Sequence, residues 1–303
     1  MKINPDTQVS LSLPLVETTL ASYGVGLLEC SEVPEGISNT VVQVKDHADN
    51  DYFLKFYKTT HDREIVVQEV EFAGRVALTG LPVPEYIPPL TSERVNYVSS
   101  VNGEHATTLT RAFQGGHPET YNPELLHDLG RTHGRLHVYS LQYGQRPGFN
   151  PVGNYNFYRP QESEQRFKII DDTSREILEE LGVLWDALPG GLVPMDIKRN
   201  NVITRDDTLV GVIDFADINY APLAFCLAGT LWDIFEASDG NKADLEAYIH
   251  SYEQSRELTE LEKRALYDII VLRGWIALHG TMLTTPDSSV AGKQLQLIES
   301  LLE

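Results

Sequence analysis

Two acidic turns, each fed by a short apolar run, constrain this chain more than any other feature. The stretch GLVPMDIKRNNVI places Asp196 five residues before Asn201, and GVIDFAD then sets Asp214 at the end of an apolar run. Each run has strand length and ends at a turn. Phosphoryl transfer from a metal-bound nucleotide needs these residue types. One carboxylate orients an acceptor hydroxyl and takes its proton, while an amide oxygen and a second carboxylate hold a divalent cation on the phosphates. Asp196 is therefore the candidate base, and Asn201 and Asp214 are the candidate metal ligands. An Asp-x4-Asn spacing is common by chance; the two stretches in this order are not.

Composition narrows the partners. The chain of 303 residues is 42% hydrophobic, enough for a sizeable core, and carries 44 acidic against 24 basic residues, a formal charge of -20. Such a surface repels nucleic acid and anionic lipid, whose binding rests on Lys and Arg. It suits an amine-bearing small molecule. Cys30 and Cys226 are the only cysteines and lie far apart in sequence, so a disulfide framework is not expected. The N-terminal MKINPDTQVSLSLP has no basic region leading into an apolar run, which argues against a secretory signal and for a cytoplasmic protein. The apolar stretch YDIIVLRGWIALHGTML contains Asp268, Arg273 and His279 and is expected to be a buried helix rather than a membrane span.

Periodicity divides the chain in two. Up to about residue 100, strand-length runs flank a helix over roughly Arg63 to Leu78, where Val66, Val70, Ala73 and Ala77 recur at helical spacing and Gly80 is the stop. Gly103 is the expected exit from this lobe. Residues 101 to 303 are mainly helical around the strand-rich insert with Asp196 and Asp214. Tyr139 to Gln161, rich in Gly, Pro and Tyr, is expected to be a long loop. The predicted fold is α+β and bilobal, with a small antiparallel-sheet N-terminal lobe and a larger helical C-terminal lobe.

Lys55 lies in YFLKFY, where alternation turns it to one strand face, and Glu69 follows fourteen residues later in the first helix. A strand lysine on nucleotide phosphates, steadied by a helix glutamate, would position ATP. Lys58 and Glu71 are the rival residues. His133 and His137 are one helical turn apart, with His127 nearby, a spacing compatible with zinc. No third ligand is evident in the neighbouring sequence, so packing and hydrogen bonding are expected of them. Nine acidic residues against Lys242 and Arg256 between Asp233 and Glu262 are either a solvated face or a cover for an amine-bearing acceptor. Trp232 and Asp233 are the candidate acceptor contacts, and Trp275 and Arg273 are assigned to the core and to capping.

Together, EGISNTVVQV, YFLKFY, QEVEFAGRVALTGLPVP, LGRTHGRLH, MDIKRNN and VIDFAD resemble the aminoglycoside phosphotransferase and choline kinase superfamily, with the type II homoserine kinase branch nearest. The resemblance runs from about residue 20 to 285. It implies a protein-kinase-like fold, ATP, Mg2+ and transfer of the γ-phosphate to a small alcohol. Ser38 and Asn39 fall where protein kinases carry a glycine-rich phosphate loop and are the candidate phosphate contacts there. Lys198, two residues after Asp196, is a gain over the family pattern: as in protein kinases it can reach the migrating phosphoryl group in a catalytic role, the alternative being a solvated loop lysine. The chain departs from the family at two places. Pro194-Met195 stands where the family has His-Gly, removing a histidine that braces the catalytic loop. Ala221 and Cys226 stand where it has two aspartates. A protein serine/threonine kinase and a retired kinase-fold scaffold are the alternative readings. The first is opposed by the short segment between Asp214 and Pro222, and the second by the retention of Lys55, Glu69, Asp196, Asn201 and Asp214.

Overall fold

The computed structural model describes residues 9–33, 39–91, 93–146, 172–216, 218–284 and 288–302. It divides into two compact units, residues 1–114 and 115–303.

In the first unit, α1 (Leu13–Ala21) precedes β1 (Glu29–Glu32), β2 (Thr40–Lys45) and β3 (Asp51–Phe56). Then come α2 (Arg63–Ala77), β4 (Tyr86–Ile87), β5 (Asn96–Ser100) and β6 (Gly103–Arg111). The strands form one antiparallel sheet in the order β1-β2-β3-β6-β4, with β5 also paired to β6. Alternation decides its faces. Tyr52, Leu54 and Phe56 of β3 join Val42 and Val44 of β2 and Leu109 of β6 in a core closed by Val16 and Leu20 of α1. Lys55 therefore points to the opposite face. Because Lys55 pairs with Thr108 across β3 and β6, the strand beginning at Gly103 belongs to this sheet. The expected exit at Gly103 and the boundary at residue 100 are thus displaced to Gln114.

The α2 helix begins as its sequence suggests: Asp62 caps it by accepting from the Glu64 amide at 2.8 Å. Its buried stripe is Val66, Glu69, Phe72, Ala73 and Val76, which is rotated from the expected one and includes a carboxylate.

The second unit opens with α3 (Pro123–Gly144), started by Pro123 and by the Asn122 side chain accepting from the Leu125 amide at 2.7 Å. The expected loop from Tyr139 is helical as far as Gly144, because Ser140 and Tyr143 extend the buried face. From residue 147 on, that loop lies outside the described residues. Then follow α4 (Asp172–Leu184), β7 (Gly190–Pro194), a 3-10 turn at Arg199–Asn201, β8 (Val202–Arg205), β9 (Thr208–Val212) and β10 (Ile218–Pro222). Four helices complete the unit: α5 (Leu223–Ala237), α6 (Lys242–Glu253), α7 (Glu260–Thr284) and α8 (Ser288–Leu302).

Close contact between α3 and α6 organises the interior of this unit. A Cβ on Gly134 would lie 2.5 Å from the Tyr252 carbonyl oxygen, so only glycine permits this approach. It brings His133 and His137 against Tyr248 and Tyr252. The α5 helix is largely apolar and mostly buried, its less buried stripe being Gly229, Asp233 and Glu236. Thr259 and Glu262 start α7 with a reciprocal cap, the Glu262 amide donating to Thr259 Oγ1 and the Thr259 amide donating to Glu262 Oε2. Among the described residues, α7 is long and apolar enough to cross a membrane over Glu260–Leu283. Its Ile269, Ile270, Leu272 and Trp275 are buried among the other helices, as expected of a core helix.

Candidate active site

Two antiparallel ribbons set the geometry of the second unit. In one, Pro194 of β7 pairs with Ile218 of β10; in the other, Val202 of β8 pairs with Val212 of β9. Asp196 and Asn201 lie in the link from β7 to β8, and Asp214 lies in the link from β9 to β10. The Ile213 amide donates to the Asn201 carbonyl at 2.8 Å, tying the two links together.

Within the first link, Asn201 is buried, and its Nδ2 donates to the Asp196 carbonyl at 2.7 Å and lies 3.4 Å from Asp196 Oδ2. With the amide nitrogen committed, Oδ1 is the atom that can meet a cation. Lys198 Nζ lies 2.7 Å from Asp196 Oδ2, both side chains being partly exposed. Asp196 therefore faces a hydrogen-bond donor and a cation. Asn200 is exposed and forms the turn. Asp214 sits beyond the end of β9 with φ 61°, a conformation that costs a non-glycine residue energy, and the Ala216 amide donates to its Oδ1 at 3.4 Å. Its side chain is exposed.

Sequence reasoning missed three side chains that hold β7 and the residues after it by their carbonyls. Ser140 of α3 donates to Leu192, Cys226 of α5 to Pro194 at 2.9 Å and Arg273 of α7 to Met195 at 3.3 Å. Arg273 reaches Met195 because Gly229 leaves room; a Cβ there would be 2.6 Å from its Nη2. These contacts occupy the region where the family pattern loses its bracing histidine. No local signal in the sequence could reveal them, since each donor lies on a different helix.

Asp233 and Trp232 are placed differently from expectation. Asp233 Oδ2 accepts from Tyr121 Oη at 2.6 Å and from the Arg199 amide at 3.1 Å, and Arg199 Nε lies 3.6 Å away. It anchors the turn after Asp196 rather than standing open to an acceptor amine. Trp232 is buried against Gly274, whose Cβ would lie 2.6 Å from its ring, so it is a core residue. Arg199 is held between Asp233 and the Glu119 carbonyl.

In the first unit, Lys55 lies on β3 with Nζ 5.7 Å from the centre of the Tyr57 ring. Glu69 is fully buried, and its Oε1 accepts from Tyr57 Oη at 2.8 Å and Tyr86 Oη at 2.6 Å. Burial of a carboxylate within an apolar stripe is costly unless it is paired, which marks Glu69 above its rival. Glu71 instead pairs with Arg94 at 2.8 Å. Asn39 is buried and accepts from the Lys58 amide at 3.3 Å, a bracing role for a residue expected at phosphate. Ser38 lies outside the described residues.

Residues 29–267 match the phosphotransferase enzyme family. The chain belongs to that family. It is a kinase-type phosphotransferase of the aminoglycoside phosphotransferase and choline kinase superfamily, transferring phosphate to a hydroxyl. Its curated relatives include homoserine kinases of Nitrobacter winogradskyi, 24% identical over 82% of this chain and 77% of the relative, and of Zymomonas mobilis, 25% identical over 82% and 78%. Among solved structures, it is similar to the amicoumacin kinase hAmiN in complex with AMP-PNP, Ca2+ and Ami, with a TM-score of 0.74 and 16% identity over 96% of this chain and 93% of that one. It is also similar to a microcompartment-associated aminopropanol kinase, with a TM-score of 0.71 and 18% identity over 96% and 95%. Phosphotransferases of this family thus share the fold across nearly the whole chain.

Proposed function

We propose that this phosphotransferase moves the γ-phosphate of Mg-ATP to a hydroxyl of a small amine-bearing molecule, an amino alcohol or homoserine-like metabolite ahead of an aminoglycoside. The observation that carries this reading is the Asp196 carboxylate held by Asn201 and facing Lys198. Asp196 orients the acceptor hydroxyl and receives its proton as the bond to phosphorus forms. Lys198, which pairs with Asp196, turns its ammonium to the migrating phosphoryl group and offsets the negative charge that develops there. Lys55 binds the nucleotide phosphates, and Glu69 with Tyr57 and Tyr86 fixes its surroundings.

A hard divalent cation takes oxygen ligands, and Asn201 Oδ1 with the exposed Asp214 carboxylate fits that requirement. When bound, Mg2+ neutralises phosphate charge and orients the leaving group. The strained backbone at Asp214 is consistent with a side chain held out for a ligand.

An amine-bearing acceptor is supported by the charge of -20 and by the names of the relatives, homoserine kinase and aminopropanol kinase. A small acceptor is supported by β10 running directly into α5 at Pro222, which leaves no long segment after Asp214 to dock a protein. A coupled ADP-release screen over homoserine, amino alcohols, amino sugars and aminoglycosides with Mg-ATP tests the reading. Turnover of one class supports it and names the acceptor; nucleotide binding without turnover of any class refutes it.

A further inference from the structure

Cys226, Pro194 and the paired His133 and His137 form one buried assembly behind Asp196. The Cys226 thiol donates to the Pro194 carbonyl at 2.9 Å, and its Sγ lies 3.4 Å from His133 Nε2. His133 Nε2 and His137 Nε2 are 3.0 Å apart, His133 Nδ1 meets Tyr248 Oη at 3.0 Å, and His137 Nδ1 meets Tyr252 Oη at 2.7 Å. Arg256 donates to Tyr252 Oη at 2.9 Å and is itself fixed by the buried Glu262 carboxylate.

These contacts have a direction. Arginine only donates, so Tyr252 passes its own O–H to His137 Nδ1, His137 donates from Nε2 to His133 Nε2, and His133 donates from Nδ1 to Tyr248. Any other order strands the Tyr252 hydroxyl hydrogen. Burial keeps both imidazoles neutral, and it pushes the Cys226 thiol up to about 12, so the thiol keeps the proton it donates. The three ligand atoms are close enough to hold a metal ion. Yet every imidazole nitrogen already has a partner, and the thiol proton is committed to a carbonyl, so the assembly is complete as a hydrogen-bonded brace.

Pro194 and Cys226 are also two of the positions at which the chain departs from its family pattern, and they touch. We infer that Cys226, seated on the His133–His137 pair, is a positioning residue that holds the Pro194 carbonyl and thereby fixes Asp196 two residues on. The brace takes over the work of the missing histidine. This rests on the proposed role of Asp196, because a displaced base slows the reaction without weakening nucleotide binding.

The test compares the full chain with Cys226→Ala, Cys226→Val and Cys226→Ser by hydrogen exchange over residues 195–201 and by steady-state kinetics on the acceptor found in the screen. Alanine and valine should each speed exchange in that segment and lower kcat about tenfold, with KM for ATP within about twofold, as expected of a misplaced catalytic group. Serine keeps a donor and should recover most of both. Valine fills the space, so it decides the matter if alanine does not fold. Exchange and kcat in the valine variant equal to wild type would overturn the inference. So would serine behaving like valine, or stoichiometric zinc in the purified protein whose removal reproduces the alanine phenotype. If no acceptor is turned over, the functional reading fails, while the exchange comparison still decides the brace.

Discussion

Asn201 donates its side-chain amide to the Asp196 carbonyl at 2.7 Å, so the residue proposed to meet a cation also shapes the turn that carries the proposed base. Replacing it should damage two functions at once. Asn201→Ala should lower kcat by about a hundredfold and raise the Mg2+ concentration needed for half-maximal rate, since a buried hydrogen bond and a ligand are lost together. A Mg2+ titration of turnover measures both; an unchanged Mg2+ response would remove Asn201 from the metal site.

Asp196→Asn keeps size and much of the hydrogen bonding but cannot accept a proton. It should lower kcat by about two to four orders of magnitude with little change in ATP affinity. Kinetics alongside calorimetry would show this split, and turnover within a few-fold of wild type would exclude Asp196 as the base.

Asp214→Asn should abolish the metal response while leaving thermal stability nearly unchanged, because the side chain is exposed and packs into no core. Thermal shift with and without Mg-ATP separates the two effects. Equal Mg2+ dependence in variant and wild type would end the assignment.

Lys55→Ala should weaken turnover by about a hundredfold through loss of a charge-assisted phosphate contact. The double change Tyr57→Phe and Tyr86→Phe removes the two hydroxyls on Glu69 Oε1 and should destabilise the fold by about 1–3 kcal/mol. Urea denaturation reports the second effect. Wild-type stability in the double variant would mean that Glu69 does not depend on these hydroxyls.

Acid should destabilise the second unit through its histidine pair. Burial first, then the nearby Arg256 charge, lowers His133 from 6.5 to about 3, and burial holds His137 well below its usual value. The unfolded chain protonates these rings near 6.5 and the folded one does not. The contribution of His133 is therefore fully present above that pH and falls as pH drops towards about 3, by about 1.4 kcal/mol per pH unit, and His137 acts in the same direction. Urea midpoints at several pH values between neutrality and mild acid should fall more steeply for wild type than for His133→Gln with His137→Gln. Parallel slopes would show that the pair is not the cause.

Local spacing made much of the protein legible. Asp196, Asn201 and Asp214 are close along the chain and follow apolar runs, so turn and strand preferences suffice to find them. Lys55 follows from alternation, and α2 from the helical spacing of its apolar residues, of which Val66 and Ala73 are buried. The acidic run after Asp233 was ambiguous because a charge pattern does not say which carboxylates are paired. Glu262 proves buried against Arg256, whereas Glu257 and Glu260 are exposed.

The sequence by itself determined which residues are the candidates for the chemistry and where most strands and helices form, because both readings depend on neighbours a few positions away. Tertiary structure alone decided that Trp232 is core, that Asp233 anchors Arg199, and that the thiol of Cys226 meets the carbonyl of Pro194. Those outcomes depend on α5 being mostly buried and apolar, so that its sequence pattern does not say what each residue will touch. They depend equally on the approach of α3 to α6 at Gly134, a contact between helices more than a hundred residues apart that no short-range pattern encodes.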